Sequence, residues 1–484
     1  MATEQLQTYL QKPRVFVTTA ISDDTDGAGS LARYLLYSNQ FETEGLVACT
    51  STWLKDTVCP QNIEKIINAY AGAVGNLNKH VHQNWQYPSA EHLKSLVRTG
   101  AKAYGMTAIS TDGELSAGGQ HLYDRIIAPS TQPLWVLCWG GTNTLAEALL
   151  KIDDNYSPED SERLLSRLRV YAASDQDNSG AWIRNNFPQI FYIVSIHGWN
   201  HYNMATWAGI TGDKYYGFDQ GGPDYTKMER SWIDEHIRIG SLGSAYPDHP
   251  WVPEGGTPTF LYLTQNGLGV PDCPEYGSWG GRYARTDVSS AGLNSNHHGD
   301  VVDRVKGIDG RMHTSNHATI WRWRDAFQND FAARIKWSME PDFAKANHHP
   351  VITVNGDSGL APMRIDAEAG SKVTLDASGT YDPDNNSKLT FKWWHYREPT
   401  ATQWCVEMEV TELKIEKLDD EGRKVEVTLP PPEKCAVELE SSKPVSMGQL
   451  LHLILEATDN GSPNLTSYRR VLIQATNKEL KGGA

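Results

Sequence analysis

Between Arg14 and about Ile320, short apolar runs rich in Val, Ile, Phe and Leu alternate with longer segments of helical period. That alternation confines the chain to repeated βαβ units, because a strand buried on both faces reads as an unbroken apolar run while its crossover keeps the 3.6-residue period. Val15–Thr19, Gly45–Thr50, Leu134–Cys138, Leu168–Ala173 and Phe191–Ser195 read as parallel strands. Leu31–Ser38, Asn62–Ala73, Ala90–Thr99 and Leu145–Lys151 read as helices. The expected fold class is α/β, an open and mainly parallel sheet with helices on both faces, whose ligands gather at the carboxyl ends of the strands.

The texture changes at Pro341-Asp342-Phe343 and the loop Asn347-His348-His349-Pro350. Beyond it Val351–Val354, Lys372–Leu375, Leu389–Trp394, Lys424–Leu429, Leu450–Ala457 and Arg469–Ala475 are strand-like runs between Asp, Gly, Pro and Asn turns, the spacing of a small β-sandwich. Two domains follow, 1–340 and 341–484. The turn Thr380-Tyr381-Asp382-Pro383-Asp384-Asn385 is read as side chains bonding their own backbone rather than as a calcium loop.

A formal charge of −15 argues against a nucleic-acid or anionic-membrane partner and leaves a small-molecule substrate as the expected partner. A homo-oligomer is left open. The six cysteines, Cys49, Cys59, Cys138, Cys273, Cys405 and Cys435, form no CxxC pair, so no zinc or thioredoxin-like site is indicated. Cys405 and Cys435 are read either as a pair or as buried thiols. The first residues show no basic start and no apolar stretch, and no run of about 18 apolar residues exists, so a cytoplasmic, non-membrane location is expected unless a leader was removed.

Several strand-end loops carry candidate chemistry. Asp23, Asp24 and Asp26 follow the first strand, as a metal-binding cluster or, the simpler reading, as a solvated loop whose Asp24 or Asp26 caps the next helix. Trp139-Gly140-Gly141-Thr142-Asn143 is either a site wall or a tight strand-to-helix turn. Asp175-Gln176-Asp177 is a polar run that is costly to bury unless it binds something, though it could also cap a helix. His197-Gly198-Trp199-Asn200-His201-Tyr202 combines imidazoles with aromatics, for ring stacking or acid/base work, against the commoner structural histidine. In Trp279-Gly280-Gly281-Arg282-Tyr283 the glycines let the large side chains face a pocket, and Arg282 could hold a substrate oxygen or a buried carboxylate. Trp321-Arg322-Trp323-Arg324 reads as core and interface. No GxSxG, HExxH or P-loop is present.

Taken together, Ser30-Leu31-Ala32-Arg33-Tyr34-Leu35-Leu36-Tyr37-Ser38-Asn39, Trp139-Gly140-Gly141, Ser174-Asp175-Gln176-Asp177, Gly280-Gly281-Arg282-Tyr283 and Thr319-Ile320-Trp321-Arg322-Trp323 resemble the Sde182-like, cellulose-binding family. The resemblance implies a nucleoside-hydrolase-like domain followed by an immunoglobulin-like one. It also implies calcium-binding aspartates in Thr-Asp-Ile, Glu-Pro-Asp-Asp and Gly-Asp-Thr-Pro segments. This chain has Ala20 at the first, Asp24-Thr25-Asp26-Gly27 at the second and Gly256 at the third, so of those aspartates only Asp26 remains. The expectation is therefore no metal and no cofactor.

The leading functional expectation is a metal-independent, repurposed enzyme that folds and reacts a small organic molecule, as a cyclisation or cycloaddition in fungal secondary metabolism. The alternatives are a glycoside or nucleoside hydrolase, which needs two carboxylates, and a non-catalytic carbohydrate binder resting on Trp393-Trp394-His395-Tyr396. The expected catalytic residues are His197, as proton donor, with Asp175 and Asp177. The expected substrate contacts are Trp139, Asn143, Gln176, Trp199, Tyr202, Trp279, Arg282 and Tyr283.

Overall fold

Arg14–Thr19 (β1) is buried at every position, as are Leu134–Cys138 (β4) and Phe191–Ser195 (β6). A strand with no solvent face must be covered by helices on both sides. The computed structural model supplies them. It describes all residues except 1, 23–25, 110–113, 212–215, 249–253, 287–294, 385–387, 401–409, 439–440 and 481–484, and the side chains of 2 and 199.

With Glu42–Ala48 (β2), Val97–Thr99 (β3), Leu168–Ser174 (β5), Tyr283–Arg285 (β7) and His297–Asp300 (β8), these strands form one eight-stranded sheet in the order β3-β2-β1-β4-β5-β6-β8-β7. All neighbours run parallel except β7 and β8. One apolar cluster packs Leu31, Leu35 and Ile63 on one side, and another packs Leu122, Leu145 and Leu149 on the other. The expected helix over Ala90–Thr99 is corrected to a helix at Ala90–Ser95 followed by β3. Val97 and Thr99 instead pair with Leu46 and Ala48 at the sheet edge, where β-branched side chains pack well.

The second domain is a sandwich. One sheet orders Met363–Glu368, Thr466–Thr476, Met447–Thr458 and Thr390–His395, and the other orders Lys372–Asp376, Lys424–Thr428 and Lys414–Lys417. Alternate residues Leu451, Leu453 and Leu455 point inward to meet Val425 and Val427, while Ile454 on the opposite face is buried in the core of the first domain. The proposed Cys405–Cys435 pairing falls on a residue outside those described. Among the described residues, no helix is long and apolar enough to cross a membrane.

The junction absorbs several residues that looked functional in sequence. Trp394 donates its indole N–H to Glu456 at 2.8 Å and packs on Trp323, while Tyr396 is buried and bonds Asp303 at 2.6 Å. Trp394 and Tyr396 are thus interface, while Trp393 packs on the sandwich core with its indole N–H on the Gly422 carbonyl at 3.0 Å, so the run is not an open sugar-stacking face. The last strand also bonds back to the first domain, through Tyr468 N to the Asn266 carbonyl at 3.0 Å and Arg470 N to the Gly267 carbonyl at 3.2 Å. Gly267 sits at φ +87°, and a Cβ there would stand 1.9 Å from the Tyr468 carbonyl oxygen. Gly267→Ala is expected to cost more than about 1 kcal/mol, because both the left-handed backbone and the close approach oppose a side chain. A thermal melt unchanged by the substitution would contradict that reading of the junction.

Candidate functional site

The sheet order reverses between β1 and β4, so the crevice at their carboxyl ends is where this topology places a ligand. Backbone bonds fix that corner: Trp139 N donates to the Thr18 carbonyl at 2.8 Å, and Gly141 N to the Thr50 carbonyl at 2.8 Å.

Asp26 opens the helix Asp26–Leu35 that leaves β1. Its carboxyl lies so close to the backbone of Gly255 that a Cβ there would stand 1.8 Å from Oδ2. Burial pushes this carboxyl up to about 6, against the backbone amides of Gly255, Gly27 and Asp26 itself, which favour the ionised form. Its charge in turn helps burial raise the Tyr202 and Tyr216 hydroxyls. Tyr202 meets Trp53 edge-on at 6.3 Å and Trp207 at 5.7 Å, and Trp207 is fixed by its indole N–H on Ser174 Oγ at 2.9 Å. Trp53 is 69% exposed and Tyr216 46% exposed, so two aromatic side chains near Tyr202 open to solvent.

A second polar group stands at the end of β6. Ser195 Oγ donates to Asp300 Oδ1 at 2.5 Å and Asn316 Nδ2 to Oδ2 at 3.1 Å, while His197 Nε2 lies 3.6 Å from Oδ2. Burial raises the Asp300 carboxyl, opposed by the hydrogen bonds from Ser195 and Thr206. His317 stacks on Phe218 at 3.6 Å, and burial lowers its imidazole to about 4, so it is neutral near pH 7.

The predicted residues divide sharply. His197 and Tyr202 reach this crevice, and Gln176 lies at its edge with its amide on the Trp139 carbonyl at 3.2 Å. Asp175 is held by both Arg184 nitrogens at 2.8 and 2.6 Å, which corrects its catalytic assignment to an ion pair beside the sheet. Asp177 is buried; its Oδ1 accepts Ser179 N at 2.9 Å, and its Oδ2 has no partner among the described residues. Asn143 is consumed by Thr50 Oγ1 and the Ala103 carbonyl at 3.1 and 3.0 Å. Trp139 is buried with its indole N–H on Thr259 at 2.7 Å. The expected contacts Trp279, Arg282 and Tyr283 are likewise corrected to core positions: Trp279 donates to the Tyr468 hydroxyl at 3.3 Å, Arg282 to Asp303 at 2.7 Å, and Tyr283 bonds Tyr171. The glycines around them allow close packing rather than an opening. The Trp199 side chain lies outside those described.

Sequence reading missed Trp53, Trp207, Tyr216, Phe218, Asp300 and His317. Trp53 carried a usable signal, standing in the loop after β2 as the other candidates stand after their strands. Asp300 did not, because His297–Asp300 is too polar to read as a strand.

The calcium site implied by the resemblance is not matched by the described residues. Ala20 and Gly27 offer no side-chain oxygen, and a Cβ at Gly256 would lie 2.4 Å from the Trp139 indole, so a carboxylate there requires the two to part. Among the described residues, no three His, Cys, Asp or Glu side chains gather to hold a metal; Asp23 and Asp24 lie outside them. Asp26 alone falls far short of the six to eight oxygens Ca²⁺ takes.

The family described as cellulose-binding Sde182, nucleoside hydrolase-like domain, matches residues 14–283, and the Sde0182 C-terminal domain matches residues 372–475. The chain is similar to a solved nucleoside hydrolase-related protein from Saccharophagus degradans, described as associated with carbohydrate metabolism: 31% identity, 96% of this chain and 100% of that chain covered, TM-score 0.75. Human CDH23 EC21-23 (15% identity, 26% of this chain and 33% of that one, TM-score 0.17) and murine CRIg (13%, 27% and 98%, TM-score 0.15) align only with a part and carry no argument. No curated protein sequence matches.

Proposed function

This chain belongs to the Sde182 family, with its nucleoside-hydrolase-like domain, and from that premise we propose that its strand-end crevice acts on a small organic molecule without calcium. One observation carries the reading: the Asp26 carboxyl is partly desolvated near Tyr202 and Tyr216, with Trp53 against Tyr202, while positions 20, 27 and 256 offer no side-chain oxygen. A carboxyl near 6 is poised to give or take a proton at neutral pH, and it does not need a metal to do so. Aromatic walls that fix a folded conformer, with a proton delivered to a carbonyl oxygen, favour cyclisation or cycloaddition of an apolar precursor. His197, beside Asp300, is the second proton-handling group at the rim. A second reading, carbohydrate binding, is favoured by the open faces of Trp53 and Tyr216, which suit a sugar ring, and by the descriptions of the relatives.

The test pairs calcium calorimetry with two ligand panels. Expected are no calcium heat at millimolar ion, no turnover of nitrophenyl glycosides or nucleosides, and a thermal shift with polycyclic terpenoid or polyketide compounds that Trp53→Ala removes. Calcium binding together with hydrolysis would return the chain to metal-dependent hydrolysis. A shift confined to cello-oligosaccharides would select the binder.

A further inference from the structure

Two sequence features that the crevice leaves unused, the loop Asn347-His348-His349-Pro350 and the turn that carries Asp384, meet at the domain junction. Asp384 Oδ1 lies 2.7 Å from His348 Nδ1, and its Oδ2 accepts the His348 backbone N–H at 2.7 Å. His348 Nε2 faces His80 Nδ1 at 3.1 Å, and His80 Nε2 faces the Glu340 carbonyl oxygen at 2.6 Å. Two imidazoles thus link a turn of the second domain to the first. Both rings are 1% exposed, so these partners, rather than bulk water, settle where the ring protons lie.

Counting those protons gives an odd one. A carbonyl oxygen only accepts, so His80 Nε2 donates, and an ionised Asp384 likewise takes a proton from His348 Nδ1. Two neutral imidazoles have no further hydrogen to give, so the lone pairs of His348 Nε2 and His80 Nδ1 would face each other at 3.1 Å. A third proton removes that repulsion, as an imidazolium at His348 beside the Asp384 carboxylate. Moving it onto Asp384 leaves the count unchanged and still puts a hydrogen on His348 Nε2. Phe343 stacks on the His348 ring at 3.9 Å, which suits a charged ring. Burial outweighs the nearby Glu340 and Asp384 charges and lowers the His80 imidazole, so His80 remains the neutral member.

We propose that Asp384, His348 and His80 form a one-proton latch that makes the hold between the two domains depend on pH. Above about pH 6.5 the histidines of the unfolded chain are mostly neutral, so the folded trio holds one proton more and the latch weakens as pH rises. Between about pH 4 and 6.5 the unfolded chain holds the extra proton, and the latch weakens as pH falls. Its contribution peaks near the ordinary histidine value. Around the rings stand Glu340, whose carboxylate accepts Asp342 N at 2.9 Å, His349 on Asp330 at 2.7 Å with Arg334 behind it, Asp382 on Asp384 N at 2.7 Å, and Asp459 on the Asn347 amide at 3.1 Å. Lys345 pairs with Asp342 beside Phe343, and His82 and Tyr9 line the small cavity next to the rings. Among the described residues, none of these side chains hydrogen-bonds to either ring. The latch is independent of the strand-end reading.

Urea melts of the full chain between pH 7 and 8.5, wild type against His80→Phe, test it. Phenylalanine keeps a ring beside Trp337 and removes both ring nitrogens, so the variant has no contact that needs the third proton. Asp26 and His349 are common to both proteins and cancel. The ratio of the two folding constants, wild type over variant, should fall by close to tenfold per pH unit, the signature of one proton held only by the folded wild type. A ratio that does not change with pH overturns the proposal. Long-range 1H–15N spectra of the wild type at pH 7.5, with the His348 signal assigned by its loss in His348→Gln, read the same proton without needing His80→Phe to fold. Expected is a hydrogen on His348 Nε2. A His348 ring that carries only its Nδ1 hydrogen overturns the latch.

Discussion

Asp303→Ala should lower stability by about 3–5 kcal/mol, the cost of leaving buried cations without their counter-charge. Asp303 is buried between the domains and accepts Arg282 Nε at 2.7 Å on one oxygen, and Arg322 at 2.7 Å and the Tyr396 hydroxyl at 2.6 Å on the other. Burial alone would push its carboxyl up, but the two guanidinia outweigh burial and hold it below the usual carboxylate range. With the native pKa depressed, this contribution is present at neutral pH and fades as pH falls through the folded value. Removing the carboxylate strands Arg282 and most of Arg322 without a full partner; Tyr396→Phe removes one hydrogen bond and should cost only about 1 kcal/mol. Urea melts at pH 7 decide the matter. A loss under about 1 kcal/mol for Asp303→Ala would mean that water, not Asp303, satisfies the arginines.

The same residues show what sequence reveals and what it hides. β1, β4, β5 and β6 are legible because burial on both faces forces an unbroken apolar run, and Val425 and Val427 are legible because a half-buried strand must alternate. β3 was hidden behind a helical run that it shares with Ala90–Ser95. β8 was hidden because His297 and His298 carry neither pattern. For the site, position after a strand drew attention to His197 and Tyr202, which stand beside Asp300 and Trp207. It failed at Asp175, Trp279, Arg282 and Tyr283 because a one-dimensional reading cannot tell an arginine or tyrosine that meets a ligand from one that meets Asp303 or Tyr171. Those partners lie far off in sequence, and only the folded chain brings them together. Asp26 was legible as an acid after the first strand, but the Gly255 amide that bonds its carboxyl comes from a loop far off in sequence.

Asp26→Asn is expected to separate stability from activity. The native carboxyl titrates near 6 rather than at its ordinary 3.8, so between those values the folded protein holds a proton that the unfolded chain has lost. Stability therefore falls as pH rises from about 4 to 6, and above 6 the fold carries the full cost of an ionised, partly desolvated group. Asparagine has nearly the same shape and never ionises. The variant should gain on the order of 2 kcal/mol over the wild type at pH 8, with no difference at pH 4. Turnover of any substrate identified by the thermal-shift panel should fall about 10²–10⁴-fold, the usual contribution of a positioned proton donor. A calcium ligand would behave in the opposite way, since replacing it should lower the melting temperature at pH 8 and abolish any stabilisation by added Ca²⁺. Melting curves of both proteins across pH 4–8, with and without calcium, thus discriminate a lone acid from the remnant of a metal site. A variant that is both less stable at pH 8 and insensitive to calcium, in contrast to a calcium-stabilised wild type, would restore Asp26 to ion binding.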